Sequence, residues 1–378
     1  MINSSDTQLF KSEISVLTIP RENFWIFKSG ILEIIFRLID VYENRSNSRY
    51  SDNDDSSITS NESISGGYGS SNSNSMNKID NDSVKNVENL VEDLGLDEIE
   101  DDGMFFHLAF SKEEVTLMCA SSLIETYLSK AIKLDNKSTL IDDNFFIIQV
   151  FSDGANIGKK ILELTQPLSL NNISLFFISN YFSDLVLVPT KEKMKALEIL
   201  SEIRKKDDND NDDILEKKTF ELLKSKNIKP KLYTDVKLLL TGARVGDSIE
   251  VLKQTAESIS RLNTENDGDQ NKIFPSYFAI TRTPTEEIGL LLPYDNFEMS
   301  KLNFSKANIM GSLQDYYYPI FIDLKELPLD LKGIVAGMAS NFLRIGIDEM
   351  SYLSLGKSGI VLIPDMFRDI VEENLDNM

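Results

Sequence analysis

The stretch 171-NNISLFFISNYFSDLVLVP-189 sets two apolar runs, ISLFFIS and LVLVP, on either side of the polar insert NYFSD. Both runs are rich in β-branched and aromatic residues, which suit pleated, buried surfaces, so the pattern predicts two strands joined by a short turn. The insert carries Tyr181, Phe182 and Asp184 where a plain turn more often uses Gly or Asn. Periodicity elsewhere divides the chain into two halves with one order of elements. In the first, strand-like 14-ISVLTIP-20 and the helix-period run 30-GILEIIFRLID-40 precede strands 104-MFFHLAF-110 and 113-EEVTLMCA-120. In the second, 235-DVKLLLTGA-243 and the helix 245-VGDSIEVLKQTAESISRL-262 precede 276-SYFAITR-282 and 286-EEIGLLLP-293. Each half closes with a longer unit. The first reads 145-FFIIQVFSDG, helix 156-NIGKKILELTQPLSLN, the quoted hairpin and helix 190-TKEKMKALEILSEI. Its counterpart reads 317-YYPIFIDLKE, helix 333-GIVAGMASNFLRIG, hairpin 348-DEMSYLSLGKSGIVLIP and helix 365-DMFRDIVEENL. VLVP-T-KEK and VLIP-D-MFR both set a Pro and a capping Thr or Asp at a helix start. Four βαββ units as a duplicated pair are predicted, an α+β fold of the ferredoxin-like kind whose antiparallel sheets carry helices on one face.

Composition changes this picture at residues 41–102, where Asn, Ser and acidic residues leave too little apolar surface to offset the entropy of ordering. The segment is predicted to be a disordered insertion. It holds fifteen acidic and four basic residues, which supply half of the net charge of −22, so the rest of the chain is only mildly acidic. Two solvated charge runs, 205-KKDDNDNDD-213 and 263-NTENDGDQN-271, mark further breaks. At 378 residues and 41% hydrophobic content the chain can bury cores in two or three domains. Its charge disfavours nucleic acid and anionic membrane surfaces, which would repel it. No apolar run reaches the length of a bilayer span, the N-terminus MINSSDTQLFKSE lacks the order of a secretory signal, and a lone Cys forms no internal disulfide. A cytoplasmic address is expected.

Candidate chemistry is sparse. The one His, His107, lies within the strand FFHLAF, and the one Cys, Cys119, ends the strand VTLMC, so both read as strand residues rather than as base or nucleophile. Zinc and Cys–His sites built on several such ligands are excluded by count. In 154-GANIGKK-160 three residues separate the glycines where a phosphate loop has four, and a second Lys replaces its Ser or Thr, so that motif fails. The turn 242-GARVGDS-248 lacks the same ending and reads as a helix cap at Asp247 or Ser248. Gly154 and, in the second half, Gly333 stand at strand-to-helix corners, where a ligand can approach the backbone N–H groups of a helix N-terminus. The chain is therefore expected not to be an enzyme and to need no catalytic residue, metal or cofactor.

FFHLAFSKEEVTLMCASS, NISLFFISNYFSDLVLVP and LKGIVAGMASNF resemble the CASTOR family of arginine sensors, cytosolic proteins built from tandem ACT domains. The resemblance implies four ACT-like modules: 1–40 with 103–135, split by the insert 41–102; 140–204; then, after a linker at 205–229, 230–300 with a loop at 263–272; and 315–378. It implies a homodimer through the first and third modules and one amino acid bound between the second and fourth. By position, Ser174 and Leu175 would line the cleft from the second module, and Gly333, Ile334 and Val335 from the fourth. A GATOR/SEA-type complex upstream of the TOR kinase would be the partner, gripped by Tyr181, Phe182, Ser183 and Asp184 and released by the ligand. The acidic side chains that meet a guanidinium in that family fall here on Ser358 or Gly359 and on Leu331, with Asp330 one place away. A guanidinium buried without a carboxylate is costly, so these residues suit a less basic amino acid than arginine. A ligand-independent scaffold and a regulatory subunit of an amino-acid-metabolic enzyme are the alternatives.

Overall fold

The computed structural model describes residues 7–51, 97–99, 104–151, 157–203, 219, 221–262, 274–328 and 332–375. The first half runs β1 (Thr7–Pro20), α1 (Phe24–Ser51), β2 (Asp97–Ile99), β3 (Phe106–Phe110), β4 (Glu114–Ala120), α2 (Ser121–Leu134) and β5 (Thr139–Leu140). It continues through β6 (Phe145–Phe151), α3 (Ile157–Leu170), β7 (Phe176–Ser179), β8 (Ser183–Pro189) and α4 (Lys193–Ile203). The second half contains β9 (Lys231–Leu232), β10 (Leu238–Ala243), α5 (Ser248–Ser260), β11 (Phe278–Arg282), β12 (Ile288–Pro293), α6 (Asn296–Ser300) and β13 (Ile309–Met310). It ends in β14 (Tyr317–Asp323), α7 (Ile334–Arg344), β15 (Ser351–Ser354), β16 (Ser358–Pro364) and α8 (Arg368–Leu375).

These strands do not form the expected modules, each with a sheet and helices on one face. They join into one closed antiparallel barrel of twelve strands, in the order β10-β12-β11-β3-β4-β1-β6-β8-β7-β15-β16-β14 and back to β10. Four pairings across units remove the open edges that separate sheets would leave, the first between β1 and β6, with Thr7 opposite Val150 and Phe10 opposite Ile147. Strand β3 pairs with β11 from Phe110 opposite Phe278 to Phe106 opposite Arg282. β7 meets β15 at Ile178 opposite Leu353, and β10 meets β14 at Leu238 opposite Tyr317. An unpaired strand edge carries unsatisfied N–H and C=O groups, so closure is the stable outcome for strands this apolar.

The barrel explains why the runs in 171–189 are apolar throughout instead of alternating. Leu185 and Leu187 point into the barrel with Phe10, Ile147 and Leu362, while Val186 and Val188 point outward beneath the helices. Strands buried on both faces need apolar residues at every position, and burying each Leu or Val contributes about 1.5–3 kcal/mol. Outside, α3, α4, α7 and α8 cover one arc, and α1, α2 and α5 cover the other.

The two halves are related by a pseudo-twofold axis between β7 and β15. Phe177 N–H donates to Ser354 Oγ (2.9 Å), and Tyr352 N–H donates to Ser179 Oγ (3.1 Å). The turns after α3 and α7 also correspond, with Asn172 at φ 62° and Gly346 at φ 85°. Some boundaries differ from the sequence reading. α1 runs past Asp40 to Ser51, because no Gly or Pro interrupts 41-VYENRSNSRYS-51, and Asp97–Ile99 of the acidic stretch lies parallel to β1. Most of the segment 41–102 and of the linker 205–229, together with Asp330 and Leu331, lies outside the described residues. The side-chain bonds expected of these caps are absent among the described residues. Thr190 and Asp365 open short 3-10 turns without side-chain capping bonds, and Asp247 caps α5 by position alone.

Candidate functional site

A cleft opens where the second unit meets the fourth. Leu175 and Phe176 line it from the start of β7, Leu324, Leu327 and Pro328 from the connection after β14, and Ile334 and Val335 from the first turn of α7. Tyr352, Ser354, Leu355, Gly356 and Ser358 complete it from the last hairpin. Its volume is about 60 Å³. At about 10–15 Å³ per ordered water, that is space for about four to six non-hydrogen atoms.

Local sequence sets the cleft wall. Gly333 adopts φ 88°, a left-handed conformation that suits glycine, and so turns the chain directly into α7. Its carbonyl accepts the Gly337 N–H at 2.8 Å and the Thr219 hydroxyl at 3.0 Å. Gly337 leaves room for Thr219, since a Cβ there would overlap its Oγ1. The first N–H groups of α7 have no intrahelical acceptor and carry the positive end of the helix dipole, so this rim favours a carboxylate.

Leu175, Ile334 and Val335 thus come together at the cleft, with Gly333 immediately before its helical wall. Ser174 is half-buried and precedes Leu175 without lining the cavity. The other predicted set, in the β7–β8 turn, divides. Tyr181 is 37% exposed and Phe182 is partly exposed, whereas Ser183 and Asp184 are buried in β8. Ser183 Oγ accepts the side-chain amide of Gln149 at 2.9 Å. Asp184 stands opposite Ser179 in the ladder and takes its hydroxyl bond. Burial raises its carboxyl to about 7, against the lowering effects of that bond and of the Lys160 charge.

Tyr352, Ser354 and Glu114 escaped the sequence reading. Tyr352 is buried with its hydroxyl against Gly359, where a Cβ would overlap it, and burial pushes its phenol above the ordinary range. Glu114, on β4, accepts the Ser358 hydroxyl and the Lys357 N–H (3.2 Å), so a carboxylate from the first unit stands behind the cleft. Burial raises its carboxyl and these bonds oppose the rise. A buried acid at a strand start is the only signal 113-EEVTLMCA-120 offers, and it does not disclose the partner.

His107 is fully buried, with Nδ1 2.9 Å from Thr281 Oγ1, and burial lowers its pKa to about 3, which keeps the ring neutral. Cys119 is buried and its thiol is pushed up. Neither offers a base or nucleophile to solvent. Among the described residues no cluster of His, Cys, Asp and Glu could hold a metal, and no helix is long and apolar enough to cross a membrane.

The ACT domain model matches residues 140–202, from the end of β5 to within one residue of the end of α4. No curated protein sequence matches the chain. The β7 wall of the cleft belongs to the matched segment, and ACT domains are regulatory rather than catalytic. Residues 140–202 are an ACT domain, a module of the kind that takes up small amino-acid ligands.

Proposed function

We propose that the protein is a non-enzymatic, cytoplasmic regulator that binds one small amino acid in the cleft between the second and fourth units. The observation that carries this reading is the cleft itself, walled by Leu175 and Phe176 of the ACT domain and by Ile334 and Val335 at the start of α7. An α-amino acid would place its carboxylate at the N-terminus of α7 and its side chain against Leu175, Leu324 and Leu327. The occupant would shift the balance between two arrangements of the chain by its difference in affinity for them.

The resemblance to the CASTOR family supports a partner in TOR nutrient signalling, a GATOR/SEA-type complex, with Tyr181 and Phe182 as the accessible members of the contact set. It also supports a homodimer. Trp25 and Phe36 are 59% and 51% exposed three turns apart on α1, and a second copy would cover that surface. Sedimentation should then give twice the chain mass, and a Trp25→Ser, Phe36→Ser variant should run as a monomer.

Calorimetric titration with each of the twenty amino acids tests the central claim. One small amino acid should bind with a stoichiometry near one per chain, and Val335→Phe, which fills the cleft, should abolish the heat while the circular dichroism spectrum is retained. Silence with all twenty would leave the ligand-independent ACT-domain scaffold as the reading.

A further inference from the structure

The two serines of the cleft have their hydrogen bonding directed by partners outside it. Ser354 Oγ accepts the Phe177 N–H at 2.9 Å, which leaves the proton of that hydroxyl for an occupant. Ser358 has the opposite commitment. Its hydroxyl proton goes to Glu114 Oε1, so any bond between Ser358 and an occupant is one that Ser358 accepts. A hydroxyl that donates to a carboxylate is polarised by it and becomes a better acceptor. Donors therefore stand at Ser354 and at the first turn of α7, and a charge-backed acceptor stands at Ser358.

Comparison of the two halves shows that this acceptor is particular to the cleft. The segments 113-EEVTLMCA-120 and 286-EEIGLLLP-293 correspond, so Glu114 at the start of β4 has its counterpart in Glu287 just before β12. Ser358 likewise corresponds to Ser183, each opening the second strand of a hairpin. Around Ser183, however, Gln149 stands in between. Its amide bonds both to Glu287 and, at 2.9 Å, to Ser183 Oγ, so that serine meets a neutral group. The counterpart of Gln149 on β14 is Phe321, since 145-FFIIQVF-151 aligns with 317-YYPIFID-323, and there Glu114 bonds the serine directly. Glu114 is also held by the Lys357 N–H at 3.2 Å, and both bonds favour its ionised form. The charges of Lys357 and Asp323 act on it in opposite directions, and Glu113 beside it is paired with Lys325. Glu114 is 4% exposed, so water screens its charge little.

We propose that Glu114, a residue of the first unit, makes the cleft selective for an ammonium group, acting through Ser358 as a positioning residue. The ligand class is then a zwitterion, with its α-ammonium at Ser358 and its carboxylate at Ser354 and the N-terminus of α7. A carboxylic acid without the amino group is discriminated against. This rests on the ligand reading given above and adds to it the group that is recognised and the unit that recognises it.

Calorimetry on the full chain tests it with two probes, the amino acid among the twenty that binds and the carboxylic acid of the same skeleton without the amino group. The wild type should bind the amino acid about tenfold or more tighter, as a site built for a hydrogen-bonding group rejects the analogue that lacks it. Glu114→Gln offers a carbonyl oxygen in place of Oε1 to both Ser358 and the Lys357 N–H, and so removes the charge with the bonds retained. It should weaken the amino acid about tenfold and leave the acid within about twofold of its wild-type affinity, because specificity is a difference between two affinities. A merely structural role would weaken both probes together. Equal affinity for the two probes in the wild type, or equal losses or no loss in Glu114→Gln, would overturn the role of Glu114 and leave the ligand reading standing. Silence of the wild type with all twenty amino acids would overturn the ligand reading and this inference with it. If Glu114→Gln does not fold, Ser358→Ala, which breaks the link between carboxylate and cleft, must narrow the preference for the amino acid over the acid, and an unchanged preference overturns the proposal.

Discussion

Asp184 places a carboxylate where stability must depend on pH. It is 5% exposed, pointing outward from β8 among Val186 and Val188, with the Ser179 hydroxyl as donor and Lys160 near enough to attract it. Burial outweighs both and moves its pKa from 3.8 to about 7. Between those values the folded chain holds more protons than the unfolded chain, so stability falls as pH rises through the window and is greatest below it. At about 1.4 kcal/mol per tenfold change in proton affinity, the contribution changes by about 3 kcal/mol between pH 5 and pH 8. Asp184→Asn keeps the shape and a hydrogen-bonding group but removes the titration. Urea unfolding of both proteins at intervals from pH 5 to pH 8 measures the difference, in which the background titration of the other groups cancels. The variant should gain on the wild type by about 3 kcal/mol over this range, with the steepest change below about pH 7. A difference that stays flat, or a variant that loses ground as pH rises, would refute the argument that desolvation dominates at this site.

Three further outcomes follow from packing and hydrogen bonding. Phe10→Ala opens a cavity among side chains that meet inside the barrel, and should cost about 3–5 kcal/mol by chemical denaturation with the helical circular dichroism retained. Gly337→Ala drives a methyl group into Thr219 beneath α7 and should cost about 1–3 kcal/mol, seen as a lower Tm. Glu114→Ala leaves the Lys357 N–H and the Ser358 hydroxyl without their acceptor, at about 1–3 kcal/mol for each unsatisfied group, and should speed amide exchange in the β15–β16 turn.

The sequence by itself determined the local elements and their duplication. Apolar runs of strand length and helix-period segments recur in the same order in both halves, and the two VL-x-P segments each end a strand before a helical turn. That information is local, carried by spacing along a few residues. Leu175, Ile334 and Val335 are expected at the cleft only through the family resemblance, and the structure sets them beside the start of β7 and in the first turn of α7. What only the tertiary structure decided is the pairing between units. Nothing in FFHLAF specifies β11 as its neighbour, and nothing in LVLVP says that alternate residues face a barrel interior instead of solvent. The glycines at 242, 289 and 311 likewise read as turn or strand residues until Tyr181, Phe182 and Asn180 arrive over them from the other half. Strand closure and such contacts depend on which edges and surfaces remain unsatisfied once every unit has folded, a property of the assembled chain that no short window of residues contains.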